Sequence, residues 1–289
     1  TEEIIISLIN KIPAKEYDFN LCMAGGVALN SVINGMITDK TKFKNVYIQP
    51  SAGDGGGALG AALTFMIDSK LTNRNFIMDH AFWGPEFSDE EIKKVLIQSN
   101  FKYTYYENKE DIQNIIVKDI VENKVIGLFQ NKMEWGPRAL GNRSIIANPT
   151  LVEMKDIVNS KIKFREPYRP FAPSVMEDKI EDIFITKYEK NVNPNDFMLN
   201  VIKVKSEYIN KIPAVSHMGT ARIQSVRKQN KDYYNLIKKF YNITGIPLLL
   251  NTSFNIKGEP IVCSPADALN TFSKSGLDKL ALGNYYLTK

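Results

Sequence analysis

Apolar residues at Ile4, Ile5, Leu8 and Ile9 recur about one helical turn apart behind Thr1-Glu2-Glu3, and the spacing predicts an amphipathic helix. The stretch from Asn20 to Ala24 then reads as a buried strand, Val27 to Met36 as a helix, Asn45 to Gln49 as a second strand and Gly57 to Ile67 as a helix of small residues. Alternation of this kind predicts an α/β layered fold. Between Met78 and Glu86 the pattern gives way to an aromatic, Gly-Pro-containing connection. Ser88-Asp89-Glu90-Glu91 next caps a helix whose apolar positions are Ile92, Val95 and Leu96. A domain boundary is expected there, separating residues 1–85 from residues 86–289. In the second part a strand from Val125 to Gln130 precedes a polar Gly/Pro turn and a basic stretch. Later the apolar strand Pro247 to Leu250 runs into Asn251-Thr252-Ser253-Phe254-Asn255, so this part reads as α+β or mixed α/β. No repeat or heptad run interrupts the pattern.

Composition narrows the class. With 289 residues, 44% of them apolar and 24% charged, the chain supplies a core, and disorder is not the default. The longest aliphatic stretch, Ile246 to Leu250 around Pro247, is far too short to cross a bilayer, so a soluble protein without a membrane partner is expected. The opening residues lack a charged-then-apolar leader, and the start at Thr1 reads as a cut or processed end. Cys22 and Cys263 belong to no Cys/His cluster and read as reduced core thiols, which points to a cytoplasmic setting. The net charge is only +5, yet from Asn131 to Pro173 eight Lys/Arg face four Asp/Glu. That imbalance expects an anion.

Two glycine-rich junctions carry the first candidate chemistry: Gly25-Gly26 before Val27-Ala28-Leu29-Asn30, and Gly53-Asp54-Gly55-Gly56-Gly57 before Ala58-Leu59-Gly60. Glycine admits close approach of a ligand, and a helix N-terminus favours phosphate. Tight turns and helix packing account for either junction alone equally well. Asp54, a carboxylate amid four glycines, suits a metal or polar ligand group, with an Asx-turn as its competitor.

The second candidate is Glu134-Trp135-Gly136-Pro137-Arg138-Ala139-Leu140-Gly141-Asn142-Arg143, followed by Lys163, Arg165 and Arg169. A guanidinium is a planar donor fork matched to carboxylate and phosphate, and several converging on one pocket hold such groups together. A generic basic run is a solvated face. Here Phe164, Tyr168, Pro170, Phe171 and Pro173 interleave with the charges, which is unusual for a wet surface. Asn251, Thr252, Ser253 and Asn255 sit where a strand is expected to end, either as ligand contacts or as turn formers. Arg222 in Gly219-Thr220-Ala221-Arg222 is a further anion candidate. His80 and His217 have no nucleophile-elbow partner, and there is no Walker motif.

Several of these strings resemble one family, the O-carbamoyltransferases of nodulation and antibiotic biosynthesis. They are Met23 to Asn30, Gln49 to Gly60, Glu134 to Ser144, Arg165-Glu166-Pro167-Tyr168-Arg169-Pro170-Phe171-Ala172-Pro173, and Asn251 to Pro260, in order along nearly the whole chain. The resemblance implies the C-terminal portion of an actin-like ATPase-fold transfer domain over residues 1–85. It implies a domain similar to the threonylcarbamoyl-adenylate synthases over residues 86–289. It implies a reaction in which carbamoyl phosphate and ATP give carbamoyl-adenylate, whose carbamoyl group passes to a small-molecule hydroxyl. On that resemblance Arg138, Arg143, Lys163, Arg169, Arg222 and Ser253 line the adenylation site. Gly25, Gly26 and Asn30 contact nucleotide, joined by Asn251 and Asn255, and Asp54 supplies one ligand to a divalent metal, Mg or Fe.

The pair of histidines that completes the family's metal site belongs to an earlier half that has no counterpart in this sequence. The implied partners are therefore a hydroxyl acceptor and the missing N-terminal half, in cis or in trans, and a homodimer is left open. The loop Ser216 to Arg222 departs from the family pattern, which carries an Asp before the Gly. Two other classes compete. One is a nucleic-acid-binding module using Phe164, Tyr168 and Phe171 as stacking platforms. The other is a catalytically incomplete nucleotide-binding fragment.

Overall fold

The alternating segments of the first third build α1 (Glu2–Asn10), β1 (Asn20–Met23), α2 (Ser31–Lys40), β2 (Asn45–Ile48) and α3 (Asp54–Asp68) in a computed structural model that describes residues 1–73, 75–186 and 192–289. β1 and β2 pair in parallel, Leu21 opposite Val46 and Cys22 opposite Tyr47. Several element boundaries differ from the sequence reading, and two of them have a clear local reason. α2 starts at Ser31 because Asn30 stays extended while its Oδ1 accepts from the N–H groups of Val32 and Ile33 at 3.1 and 3.3 Å. α3 begins at Asp54, so Gly55, Gly56 and Gly57 lie inside its first turn and not ahead of it. The cysteines are also corrected: both are exposed and neither belongs to the core. Cys22 takes an outward position of alternating β1, and Cys263 precedes a helix cap.

The remaining elements are α4 (Asp89–Ile97), β3 (Lys102–Tyr105), α5 (Lys109–Val121), β4 (Ile126–Phe129), β5 (Arg143–Ala147), α6 (Met154–Val158), β6 (Ala172–Met176), α7 (Ile180–Ile183) and β7 (Phe184–Ile185). β8 (Asn200–Val204), α8 (Ser206–Ile209), β9 (Thr220–Val226), α9 (Lys231–Thr244), β10 (Leu248–Ser253), α10 (Pro265–Lys274), β11 (Lys279–Leu282) and β12 (Tyr285–Thr288) complete the chain. Ser88 and Glu91 form the capping box expected ahead of α4. The strands from β3 onward form one ten-stranded sheet in the order β3-β12-β11-β4-β5-β10-β6-β9-β8-β7. The β4–β11 and β6–β9 pairs are parallel and the others antiparallel, so the fold is mixed α/β with a large mixed sheet. The polar run after Leu250 does not follow the strand but continues it: Asn251, Thr252 and Ser253 pair with Ile146, Ile145 and Ser144.

Two apolar clusters hold the molecule. The larger fills the space between the sheet and its helices, with Ile145, Val175, Ile223, Leu249 and Phe240 fully buried. The smaller gathers Ile37, Val46, Ile48 and Met78 from the first third with Leu140, Ala172, Phe197, Met198 and Leu199 from the second part. Asn34 reinforces that junction, its amide donating to the carbonyls of Ala28 and Leu199, both at 2.8 Å. The first layer therefore completes its core with side chains from across the expected boundary.

Candidate functional site

The loop of residues 134–143 is held from within. The buried Glu134 carboxylate accepts from the backbone N–H groups of Leu140, Asn142 and Arg143 at 2.7, 2.7 and 3.2 Å. Burial pushes this carboxyl upward while those N–H groups oppose the shift. Arg143 grips the loop base, donating to the carbonyls of Gln130, Asn131, Asn142 and Pro85 at 2.7, 3.1, 3.0 and 3.1 Å, and its guanidinium lies 3.6 Å from the Phe129 ring centre. Two glycines make the path possible. Gly136, at φ +124°, passes so close to Pro50 that a Cβ would stand 2.8 Å from its carbonyl oxygen, and at Gly141, φ +110°, a Cβ would meet the Tyr233 ring at 2.2 Å.

This loop presents Arg138. One of its terminal nitrogens reaches the Leu29 carbonyl at 3.4 Å, while its Nε is buried without a partner. Arg222 projects from β9 with its Nε also buried and unpartnered. Lys163 ends the wide turn of residues 159–163 that follows α6. Its ammonium contacts the Ser253 carbonyl and hydroxyl at 2.5 and 3.1 Å, and the Asn255 carbonyl and side-chain oxygen at 3.0 and 2.8 Å. Arg165 is oriented by the Asn159 side chain at 2.7 Å and lies over Phe171 at 4.6 Å.

The electrostatics show that these cations are neighbours. Burial first, and then repulsion from Arg138 and Arg165, lower Arg222 to about 9. Lys163 is lowered to about 7 by burial and then by Arg165. Arg138 is lowered by burial, and Arg165 by burial and then by Arg169, with the Glu166 carboxylate partly opposing the shift. Among the described residues, Arg138, Lys163, Arg165 and Arg222 have no ion pair, whereas Arg169 pairs with Glu166 at 2.9 Å. A desolvated group of cations without a counter-ion is a receptor for an anion.

The structure thus brings together Arg138, Lys163, Arg222, Ser253 and Asn255 from the sequence reading. Arg169 stands at the rim, half exposed and paired. Arg143 is occupied by backbone carbonyls, and Asn251 lies in a buried network, donating to Ala139, Ser174 and Gln224 at 3.1, 2.8 and 3.0 Å. Gly25, Gly26 and Asn30 flank the Leu29 carbonyl that meets Arg138, and Gly25 N–H donates to Ala52 at 2.7 Å, which joins the two glycine junctions. Asp54 is exposed, and among the described residues no group of three His, Cys, Asp or Glu side chains is placed to hold a metal ion. The residues present do not make a metal site by themselves. Phe171 is 3% exposed and so offers no stacking face, although Phe164 and Tyr168 do. The orienting residues Asn159, Ser174 and Gln224 carry no signal in the sequence, being single polar positions within apolar segments.

The chain belongs to the carbamoyltransferase family. The family profile described as Carbamoyltransferase C-terminus matches residues 117–289, and that described as Carbamoyltransferase N-terminus matches residues 1–63. An uncharacterised protein of Synechocystis is 39% identical over 316 aligned positions, covering 100% of this chain and 51% of the relative. Nodulation protein NolO of Bradyrhizobium diazoefficiens is 39% identical over 274 positions, covering 93% of this chain and 49% of the relative. An uncharacterised protein of Methanocaldococcus jannaschii is 39% identical, covering 100% of this chain and 54% of the relative. The chain spans about half the length of these curated relatives. A crystal structure of full-length HypF in the phosphate- and nucleotide-bound form aligns at TM-score 0.42 and 15% identity, covering 65% of this chain and 22% of that one, a likeness too slight to argue from. Among the described residues no helix is long and apolar enough to cross a membrane.

Proposed function

We propose that the cation group is the site at which carbamoyl phosphate and ATP are converted to carbamoyl-adenylate, the first half of an O-carbamoyl transfer. The observation that carries this reading is the convergence of Arg138, Lys163, Arg165 and Arg222 without a counter-ion. Two polyanionic reactants repel each other, and fixed guanidinium and ammonium groups offset that repulsion without reorganising during reaction. Water hydrolyses carbamoyl phosphate: its oxygen is taken up as the bond between the carbamoyl group and phosphate breaks, its proton passes to solvent, and carbamate and inorganic phosphate result. A carbamate oxygen then bonds to the α-phosphorus of ATP as the bond to the bridging oxygen of the β-phosphate breaks, releasing pyrophosphate. In the second step the acceptor hydroxyl attacks the carbamoyl carbon, AMP leaves, and the hydroxyl proton passes to solvent.

In this reading residues 86–289 form a domain of the threonylcarbamoyl-adenylate synthase kind. Residues 1–85 contribute to an actin-like transfer domain, where Gly25, Gly26 and Asn30 face nucleotide, in a protein of the cytoplasm. Asp54 is one prospective ligand of a divalent metal there, and no step is routed through it.

The test is pyrophosphate release from ATP by the purified chain at fixed Mg²⁺, with and without carbamoyl phosphate. Release that depends on carbamoyl phosphate is the expected result. Its absence from a folded, monodisperse sample removes the adenylation reading, and release independent of carbamoyl phosphate makes the site a plain nucleotide hydrolase.

A further inference from the structure

A buried polar row crosses the middle of the ten-stranded sheet. Ser174 on β6, Gln224 on β9 and Asn251 on β10 lie on three adjacent strands and are 0, 2 and 1% exposed. Ser174 stands opposite Gln224 in the β6–β9 register, and Asn251 lies diagonally across the β6–β10 pair. Their neighbours in sequence, Val175, Ile223 and Leu250, face the other side and are apolar and fully buried. Polar groups at such positions are costly without partners. The Ser174 hydroxyl donates to Gln224 Oε1 at 2.6 Å, and the Asn251 amide nitrogen donates to Ser174 Oγ and Gln224 Oε1 at 2.8 and 3.0 Å. Two further bonds leave the sheet: Gln224 Nε2 donates to the Leu140 carbonyl at 2.7 Å, and Asn251 Nδ2 to the Ala139 carbonyl at 3.1 Å. Asn251 Oδ1 stays buried without a partner, a cost that an apolar row would avoid.

Ala139 and Leu140 directly follow Arg138. Glu134 grips this loop by its N–H groups, and the polar row grips it by its carbonyls. Arg138 itself reaches the Leu29 carbonyl at 3.4 Å, too long a bond to aim a guanidinium, so the backbone aims it. Gln224 also lies two positions from Arg222 on β9, and side chains so spaced share a face of the strand. The Gln224 amide therefore ties the strand that carries one desolvated guanidinium to the loop that carries the other. We infer that Gln224, braced by Ser174 and Asn251, is a positioning residue that sets the spacing of the Arg138 and Arg222 guanidiniums around the bound anion. The inference rests on the reading of the cation group as an anion site. Two planar donor forks share one phosphate only when both are in place, and a displacement of about 1 Å can cost about 100-fold in rate. Asn251 belongs to this frame and does not reach the ligand.

The experiment uses the full chain and Gln224→Met, which keeps the length of the side chain and removes its donor and acceptor. Two readouts are taken: the guanidinium Nε–H signals of ¹⁵N-arginine-labelled protein without ligand, with the Arg138 signal assigned through Arg138→Lys, and the affinity for inorganic phosphate by calorimetry. In Gln224→Met the Arg138 signal should shift or broaden while that of Arg143 stays, and phosphate affinity should fall at least tenfold with the far-UV spectrum unchanged. Ile223→Ala is the control for lost stability, since that side chain packs on the opposite side of the same strand. It should unfold at lower urea yet keep the Arg138 signal and a phosphate affinity within twofold of the parent. An unmoved Arg138 signal in Gln224→Met overturns the inference whatever the affinity, and so does parental phosphate affinity there. Equal effects of Ile223→Ala on both readouts also overturn it, because general loosening then explains them. Should Gln224→Met fail to fold, Ser174→Ala removes one brace and should move the same signal and weaken phosphate at least threefold; parental values in that variant overturn the inference. If the parent chain itself binds no phosphate, the anion-site reading falls, and the ligand-free Arg138 signal still decides whether Gln224 positions the loop.

Discussion

Lys163 should couple proton uptake to anion binding. Burial and Arg165 bring its ammonium from an ordinary 10.5 to about 7 in the ligand-free protein, so above that pH the free protein carries it mostly neutral. An anion placed beside it restores the charge, and at pH 8 binding of inorganic phosphate should therefore take up a proton, approaching one per site. Calorimetry in two buffers of different ionisation enthalpy measures this, and the uptake should vanish in Lys163→Met. The stability sign follows from the same shift. Between pH 7 and 10.5 the unfolded chain holds more protons at this residue than the folded one, so its contribution makes stability rise with pH over that window. Below pH 7 the cost of the buried charge is present in full. Arg222 carries the related penalty. Arg222→Met should cut carbamoyl-phosphate-dependent pyrophosphate release about 100-fold, yet stabilise the ligand-free chain by about 1 kcal/mol because a desolvated, repelled charge is gone. Urea unfolding and the turnover assay on the same sample check both halves.

The loop of residues 134–143 behaves as a rigid bracket. Glu134→Ala strands three buried N–H groups and should cost about 3 kcal/mol in urea unfolding, with Arg138 displaced and turnover lost. Arg138→Ala should lose turnover at near-parental stability, because among the described residues that side chain bonds the Leu29 carbonyl alone. The contrast separates a residue that shapes the loop from one that meets the ligand.

Elements of this kind were unevenly legible in the sequence. The Ser88 capping box, the alternating strands and helices of the first third and the aliphatic strand at 248–250 were readable, because each is a local pattern with a fixed period or cap. Asn30 as a cap, and Asn251 to Ser253 as strand residues, were not. A short polar side chain at a segment boundary reads alike whether it ends an element, begins one or touches a ligand. The cation group was legible as a set of arginines and a lysine. Arg143 was indistinguishable from Arg138 there, since only the fold shows which guanidinium is consumed by carbonyls. Phe171 likewise was an aromatic among charges until the sheet buried it.

At the scale of the molecule, the smaller core is shared. Ile37, Val46 and Ile48 pack with Leu140 and with Phe197 to Leu199, so residues 1–85 have no complete core of their own. Expressed alone, that segment should give the circular dichroism of an unfolded chain. The full chain should melt in one transition whether followed by far-UV signal or by tryptophan fluorescence. A separate early transition confined to α2 would show the first layer to be independent.

The sheet order has one more outcome. β12 lies between β11 and β3, so the residues paired with Lys102–Tyr105 are Tyr285–Thr288, roughly two thirds of the chain away in sequence. A ribosome delivers β3 long before its neighbour exists, at about 5–20 residues per second. For that interval a strand of four exposed residues, Lys102, Tyr103, Thr104 and Tyr105, waits unpaired in a nascent chain. Its lysine and its alternation of threonine with tyrosine guard an edge that cannot be closed until translation of the last strand is done.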